Sequence, residues 1–147
     1  MNTTFQNTSE TTIPPKWRIY MMSGLFFLNF ISLAVDNWSI ILFTKEQLDP
    51  LSGVGVSFYA ALSLLSLFGI RFPLKFTPLL LIQLIYKSAW LLGVYLPAIN
   101  LGAINANIQS WFLPMAIGIV IDVVVIPWKY VYVEYCKNLF RFAKPIK

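Results

Sequence analysis

Trp111–Trp128 reads WFLPMAIGIVIDVVVIPW, an apolar run in which Asp122 is the one charged residue. A helix that crosses the hydrocarbon core needs about 20 mostly apolar residues. The run is therefore a predicted membrane span, with an indole at each end where amphipathic rings favour the headgroup region. Upstream of it, Leu101–Ser110 is rich in Asn, Ala and Gly and reads as an uncharged loop. The same reasoning predicts three earlier spans. One runs from about Phe76 to Leu96 and is expected to stop at Pro97. Another runs from about Ser52 to Phe72, after Asp49-Pro50 and before Pro73. The first runs from about Trp17 to Val35. Ser39–Phe43 is apolar again beyond Asp36-Asn37-Trp38, and either extends the first span or lies flat on the membrane. The expected fold is all-α: a transmembrane four-helix bundle forming one domain over 16–147.

Composition agrees. The chain is 58% apolar and 12% charged, whereas a soluble domain is about half apolar and about a quarter charged. A core this small cannot enclose such an excess, so lipid is its natural solvent. Residues 1–15 are polar and lack the basic region that opens a secretory signal, so they are expected to form a flexible tail. Cys136 is the single cysteine and histidine is absent. No disulfide framework is expected, nor any cofactor or metal. The net charge of +5 points to anionic lipid headgroups as partners, not to nucleic acid.

Lys16, Arg18, Arg71, Lys75, Lys129, Lys137, Arg141, Lys144 and Lys147 fall on one side of the four-span arrangement, and Lys45 alone falls on the other. Positive charge concentrates on the cytoplasmic side of membranes, so both termini are expected there. The sequons at Asn2-Thr3-Thr4 and Asn7-Thr8-Ser9 then lie on the wrong side for glycosylation. Beyond the last span, Tyr132, Tyr135, Leu139 and Phe142 recur at helical spacing, opposite Lys137, Arg141 and Lys144. That pattern predicts an amphipathic interfacial helix over 129–144. Arg71, Lys75, Lys137, Arg141 and Lys144 are the candidate headgroup contacts.

Lys87 and Asp122 are the candidate intramembrane charged pair, because ionisable residues inside spans are costly and are usually hidden and partnered. Lys87 lies roughly 13 Å from the basic start of its span and Asp122 roughly 10 Å from the same surface. Gly118, one turn before Asp122, offers close approach. The pair suits a proton or ion relay, a polar substrate site between spans three and four, or a structural link that fixes helix register. A further reading sends the Lys87 amine to the surface and pairs Asp122 with Lys75 or Lys129. Gln83, Lys87 and Trp90 share one helical face with Tyr86 at its margin, and Asn29 is a buried polar candidate in the first span. Gly53, Ser57, Ala60 and Ala61 form a small-residue surface suited to packing. No catalytic motif is present.

The stretches Gly69-Ile70-Arg71-Phe72-Pro73-Leu74-Lys75-Phe76-Thr77-Pro78-Leu79-Leu80-Leu81, Tyr86-Lys87-Ser88-Ala89-Trp90-Leu91-Leu92 and Ile126-Pro127-Trp128-Lys129-Tyr130-Val131 resemble a family of uncharacterised small bacterial four-span integral membrane proteins. The resemblance covers spans two to four and implies a bacterial inner-membrane location, without an activity. Small multidrug transporters fit less well, because their first span carries a Glu where this chain offers Asn29.

Three functions follow as expectations. A non-enzymatic membrane subunit or accessory protein, in a homo-oligomer or larger membrane complex, asks least of the residues present. A small oligomeric transporter or channel would use Lys87 and Asp122. An enzyme acting on a lipid or other lipophilic substrate would place it near Arg71, Lys75 and Trp128.

Overall fold

The computed structural model describes residues 13–45 and 47–137. Four helices are long and apolar enough to cross a membrane: α1 Lys16–Phe43, α2 Pro50–Arg71, α3 Thr77–Asn100 and α4 Ala106–Val125. A short helix, α5 Trp128–Val131, follows and runs into a π-turn at Tyr132–Cys136. No strand occurs among the described residues. The chain is an integral membrane protein with an all-α, four-span architecture.

Short connections force neighbouring helices antiparallel. The most extensive packing is between α1 and α2, followed by α3 with α4; α2–α3 and α1–α4 contacts are sparser. The core comprises Met22, Leu25 and Phe26 of α1, Leu62 of α2, Leu79 and Leu80 of α3, and Val125 of α4, with Ile126 and Val131 below. Outward faces carry exposed Leu28, Leu67, Phe68, Ile85, Leu92, Val120 and Val124. In water such a surface would drive aggregation; against lipid tails it is solvated.

α1 continues through the polar Asp36-Asn37-Trp38 segment to Phe43, so Ser39–Phe43 extends the first span. The polar side chains bond inward instead of breaking the helix. Asn37 Nδ2 donates to the Leu33 carbonyl at 2.8 Å, Ser39 Oγ donates to that of Val35, and Trp38 Nε1 donates to Ser63 Oγ of α2 at 3.2 Å. At 28 residues the helix is about 42 Å long, longer than a hydrocarbon core of about 30 Å, so it tilts or projects.

Pro97 does not stop α3. The helix widens into a π-turn at Leu91–Tyr95 and resumes as Leu96–Asn100. The Leu96 N–H reaches back five residues to the Leu91 carbonyl. Such a turn relieves the clash between a proline ring and the carbonyl four residues earlier. The expected loop also shortens. Asn105 Oδ1 accepts from the Ile108 N–H at 2.8 Å and caps α4 at Ala106, so residues 106–110 are helical. An Asn N-cap satisfies an otherwise unpaired amide. At its other end α4 stops at Val125, since Pro127 disfavours helical backbone at Ile126. Trp128 therefore belongs to α5.

The small-residue surface expected on α2 divides. Ala60 is buried, Gly53 is half-buried, and Ser57 and Ala61 are exposed. The close approach between α1 and α2 is at Gly69 instead, where a Cβ would fall 2.6 Å from the ring of the fully buried Phe26. Of the expected interfacial helix, Val131 is buried and Tyr135 packs against the core, whereas Tyr132 is exposed. The widened turn separates the two tyrosines that regular helical spacing would place on one face. Leu139, Phe142 and the remainder of that segment lie outside the described residues, as do residues 1–12.

Candidate functional site

Lys87 occupies the buried face of α3, one helical turn beyond Gln83. Asp122 occupies the buried face of α4. Antiparallel packing brings the two to one level, and Lys87 Nζ lies 2.6 Å from Asp122 Oδ2. The Asp122 side chain has no solvent exposure and that of Lys87 is 10% exposed. Lys87 therefore pairs within the bundle and does not send its amine to the surface; Asp122 pairs with it and not with Lys75 or Lys129. This is the one ion pair among the described residues.

Gly118 makes the contact sterically feasible. A Cβ there would meet Lys87 Cε and Nζ at 3.0 Å and Cδ at 3.2 Å. The missing side chain leaves a channel along α4 through which the lysine stem reaches the carboxylate. The glycine thus admits a side chain, a more specific task than the close helix approach expected from the sequence.

Gln83 extends the polar layer toward α1. Its Oε1 accepts from Asn29 Nδ2 at 2.9 Å, tying α1 to α3. Gln83, Lys87, Asp122 and Asn29 thus form a band of amide and charge across three helices. Two buried atoms in this band lack a partner among the described residues: Gln83 Nε2, a donor, and Asp122 Oδ1, an acceptor. Their chemistries are complementary, and buried polar atoms are normally satisfied.

Trp90 stands apart from this band. It stacks on Tyr95 with centroids 6.0 Å apart, and Tyr95 stacks on Phe112 of α4 at 4.4 Å. The π-turn that begins at Leu91 shifts the register beyond Trp90 and commits the indole to an aromatic ladder. Tyr86, at the margin of the polar face, makes an edge contact with Tyr59 of α2 at 5.6 Å.

The candidate headgroup contacts among the described residues lie outside the core. Arg71 and Lys75 are exposed at the α2–α3 turn, with Lys75 Nζ 5.4 Å from the centroid of the Phe72 ring. Arg71 also occupies the last turn of α2, where positive charge is favourable. Lys137 is exposed after the π-turn; Arg141 and Lys144 lie outside the described residues. Among the described residues, no cluster of three or more His, Cys, Asp or Glu side chains is placed to hold a metal.

Two features escaped the sequence. The Trp38–Ser63 hydrogen bond had no signal beyond an indole near a helix end. A cavity between the start of α1 and the start of α5 had a weak one, the basic residues Arg18 and Lys129 beside prolines at the two ends of the span arrangement. No protein-family model, curated protein or solved structure matches the chain.

Proposed function

We propose that this chain is a non-enzymatic subunit or accessory protein of a bacterial inner membrane, with both termini cytoplasmic. Its polar layer holds the helices in register while its apolar surface contacts lipid and partner helices. The observation that carries this reading is the direct, buried Lys87–Asp122 contact. A charge that carries protons or ions must be reached by them, whereas Asp122 is fully enclosed and already compensated. Gly118, shaped around the lysine stem, fits a fixed link better than a moving one. The location rests on the family resemblance, and the orientation on the basic residues gathered at one end of the bundle. Anionic headgroups at Arg71, Lys75, Lys137, Arg141 and Lys144, and association with further copies or a larger membrane complex, belong to the same proposal.

The test is joint replacement. Lys87→Met with Asp122→Leu should preserve the folded state and the oligomeric mass seen by native mass spectrometry. Loss of assembly in a well-folded double variant would count against a structural role.

A second reading, a small transporter or channel, draws on the unpartnered Asp122 Oδ1 and Gln83 Nε2, atoms that a transient proton carrier or water would satisfy. It requires a flux in proteoliposomes that vanishes in Asp122→Asn. Absence of any proton or monovalent-ion flux in the wild type removes this reading.

A further inference from the structure

The sequence brings two prolines ahead of α1 and a third ahead of α5, and the fold sets them side by side. Ile13, Pro14, Pro15 and Arg18 face Pro127, Lys129 and Tyr130 across a cavity of about 280 Å³. This is close to the lower end of small-molecule pockets, about 300 Å³. Proline has no N–H, so the three prolines supply walls and no backbone donors. The donors are side chains: a guanidinium, an ammonium and a phenol. No lining residue is acidic, and neither Arg18 nor Lys129 has a carboxylate within salt-bridge distance among the described residues.

Arg18 supplies an independent sign. Its Nε is buried and has no hydrogen-bond partner among the described residues. A buried donor of a charged group left unpaired is costly, and a guanidinium is shaped to hold a phosphate by two parallel bonds. The group also lies 5.2 Å from the centroid of the Trp17 ring, a contact that helps fix its plane. The cavity sits where α1 begins and where the chain has just left α4, at the basic end of the bundle. Lipid phosphates occupy that level of a bilayer.

We infer that Arg18, Lys129 and Tyr130 form a binding site for a phosphate ester, seated in the proline-walled cavity between the start of α1 and α5. The ligand is an anionic phospholipid headgroup or a free phosphate, recognised by the same donors. A seated phosphate would link the first and last spans through a group neither provides. The inference requires only that the chain is a membrane protein, and does not depend on whether it is a subunit or a transporter.

The experiment uses the full chain in nanodiscs of phosphatidylcholine with or without phosphatidylglycerol. Lipid retained on release is counted by native mass spectrometry. The wild type should keep one phosphatidylglycerol in preference to phosphatidylcholine. Arg18→Gln with Lys129→Gln should lower that retention about tenfold or more, the worth of a charge-assisted bond. Lys16→Gln with Lys45→Gln, which removes equal charge at two exposed positions outside the cavity lining, should leave it nearly unchanged. Titration with inorganic phosphate in a zwitterionic detergent forms the second arm. Saturable binding there, lost in the Arg18/Lys129 variant, identifies free phosphate as the source. Lys129 is exposed, so Lys129→Gln alone serves as the folding-neutral variant if the double one misfolds, and should still weaken retention severalfold. Equal retention by both double variants, or no bound phosphate ligand on the wild type in either arm, would overturn the assignment.

Discussion

Replacing Lys87 with methionine removes the amine that lies 2.6 Å from Asp122 Oδ2 and leaves the carboxylate with no solvent exposure. At that separation two unit charges attract by about 6 kcal/mol when the effective permittivity is about 20. Much of this offsets the loss of hydration, which amounts to several kcal/mol per buried ion. The net value of the pair is therefore small, while the cost of breaking it is large, about 3–5 kcal/mol for removal of one partner. The two single variants should differ. Lys87→Met strands a short side chain in the enclosed interior and should fall at the upper end, about 4–5 kcal/mol. Asp122→Leu leaves an amine on a flexible four-carbon stem that can lean toward the nearer surface, and should cost about 3 kcal/mol. The joint variant, Lys87→Met with Asp122→Leu, fills the space with apolar atoms and should lie within about 1 kcal/mol of the wild type or above it. The cycle then gives a coupling of about 6 kcal/mol or more. Reversible unfolding in bicelles, followed by tryptophan fluorescence or steric trapping, measures all four proteins. Single variants that each cost under about 1 kcal/mol, with a joint cost equal to their sum, would refute the reasoning.

Gly118→Ala should destabilise the bundle by about 1–3 kcal/mol, because the new methyl meets Lys87 Cε and Nζ at 3.0 Å; the same substitution in the joint Lys87/Asp122 apolar variant should cost less. Gly69→Ala should cost about 1–3 kcal/mol through overpacking, since its Cβ would sit 2.6 Å from the Phe26 ring, and Phe26→Leu in the same chain should recover part of it. Asn29→Leu removes the hydrogen bond to Gln83 and should cost only about 0.5–2 kcal/mol, the range for interhelical bonds in lipid, well below either charge variant in the same assay. Tyr135 has its phenol raised above the ordinary tyrosine value by burial, then by Tyr130 and Glu134. Its contribution is thus fully present below pH of about 10 and is lost as the folded-state phenol ionises above it. Phenolate absorbance in wild type and Tyr135→Phe should show one late-titrating tyrosine missing from the variant.

The spans were legible because the hydrocarbon core demands length and apolarity, and Trp111–Val125 supplies both without competing patterns. Their ends were less legible because local side-chain chemistry determines them. Asn37 resembles an interface residue, yet it bonds to its own helix at Leu33, so α1 runs on. Asn105 caps a helix that composition assigns to a loop. Pro97 marks a stop in sequence, but the π-turn before it absorbs the constraint. Lys87 and Asp122 stood out as charges within apolar runs, and their similar depths followed from helical rise. Trp90 closes the regular part of α3, and its stacking on Tyr95 was hidden because the π-turn beyond it resets where Tyr95 falls. The contact of Gly69 with Phe26 depends on how α1 and α2 rotate about each other, which no single segment encodes.

Lipid tails are as apolar as leucine, so burial alone gives four helices no strong reason to prefer one arrangement. What distinguishes this bundle is where its polar groups meet. Trp38 and Ser63 join α1 to α2 near one end, Asn29 and Gln83 join α1 to α3, and Lys87 and Asp122 join α3 to α4. Each sits between a different pair of helices, and slipping any helix by one residue would break at least one contact. The glycines act in the same places: Gly69 lets α2 close on Phe26, and Gly118 lets Lys87 through to Asp122. Close approach and polar pairing thus fix a register that hydrophobicity leaves open. The two effects separate experimentally, because the joint apolar replacement of Lys87 and Asp122 should keep stability while loosening that register, seen as altered cysteine cross-linking between α3 and α4. An unchanged cross-linking pattern in the joint variant would assign the register to side-chain packing alone.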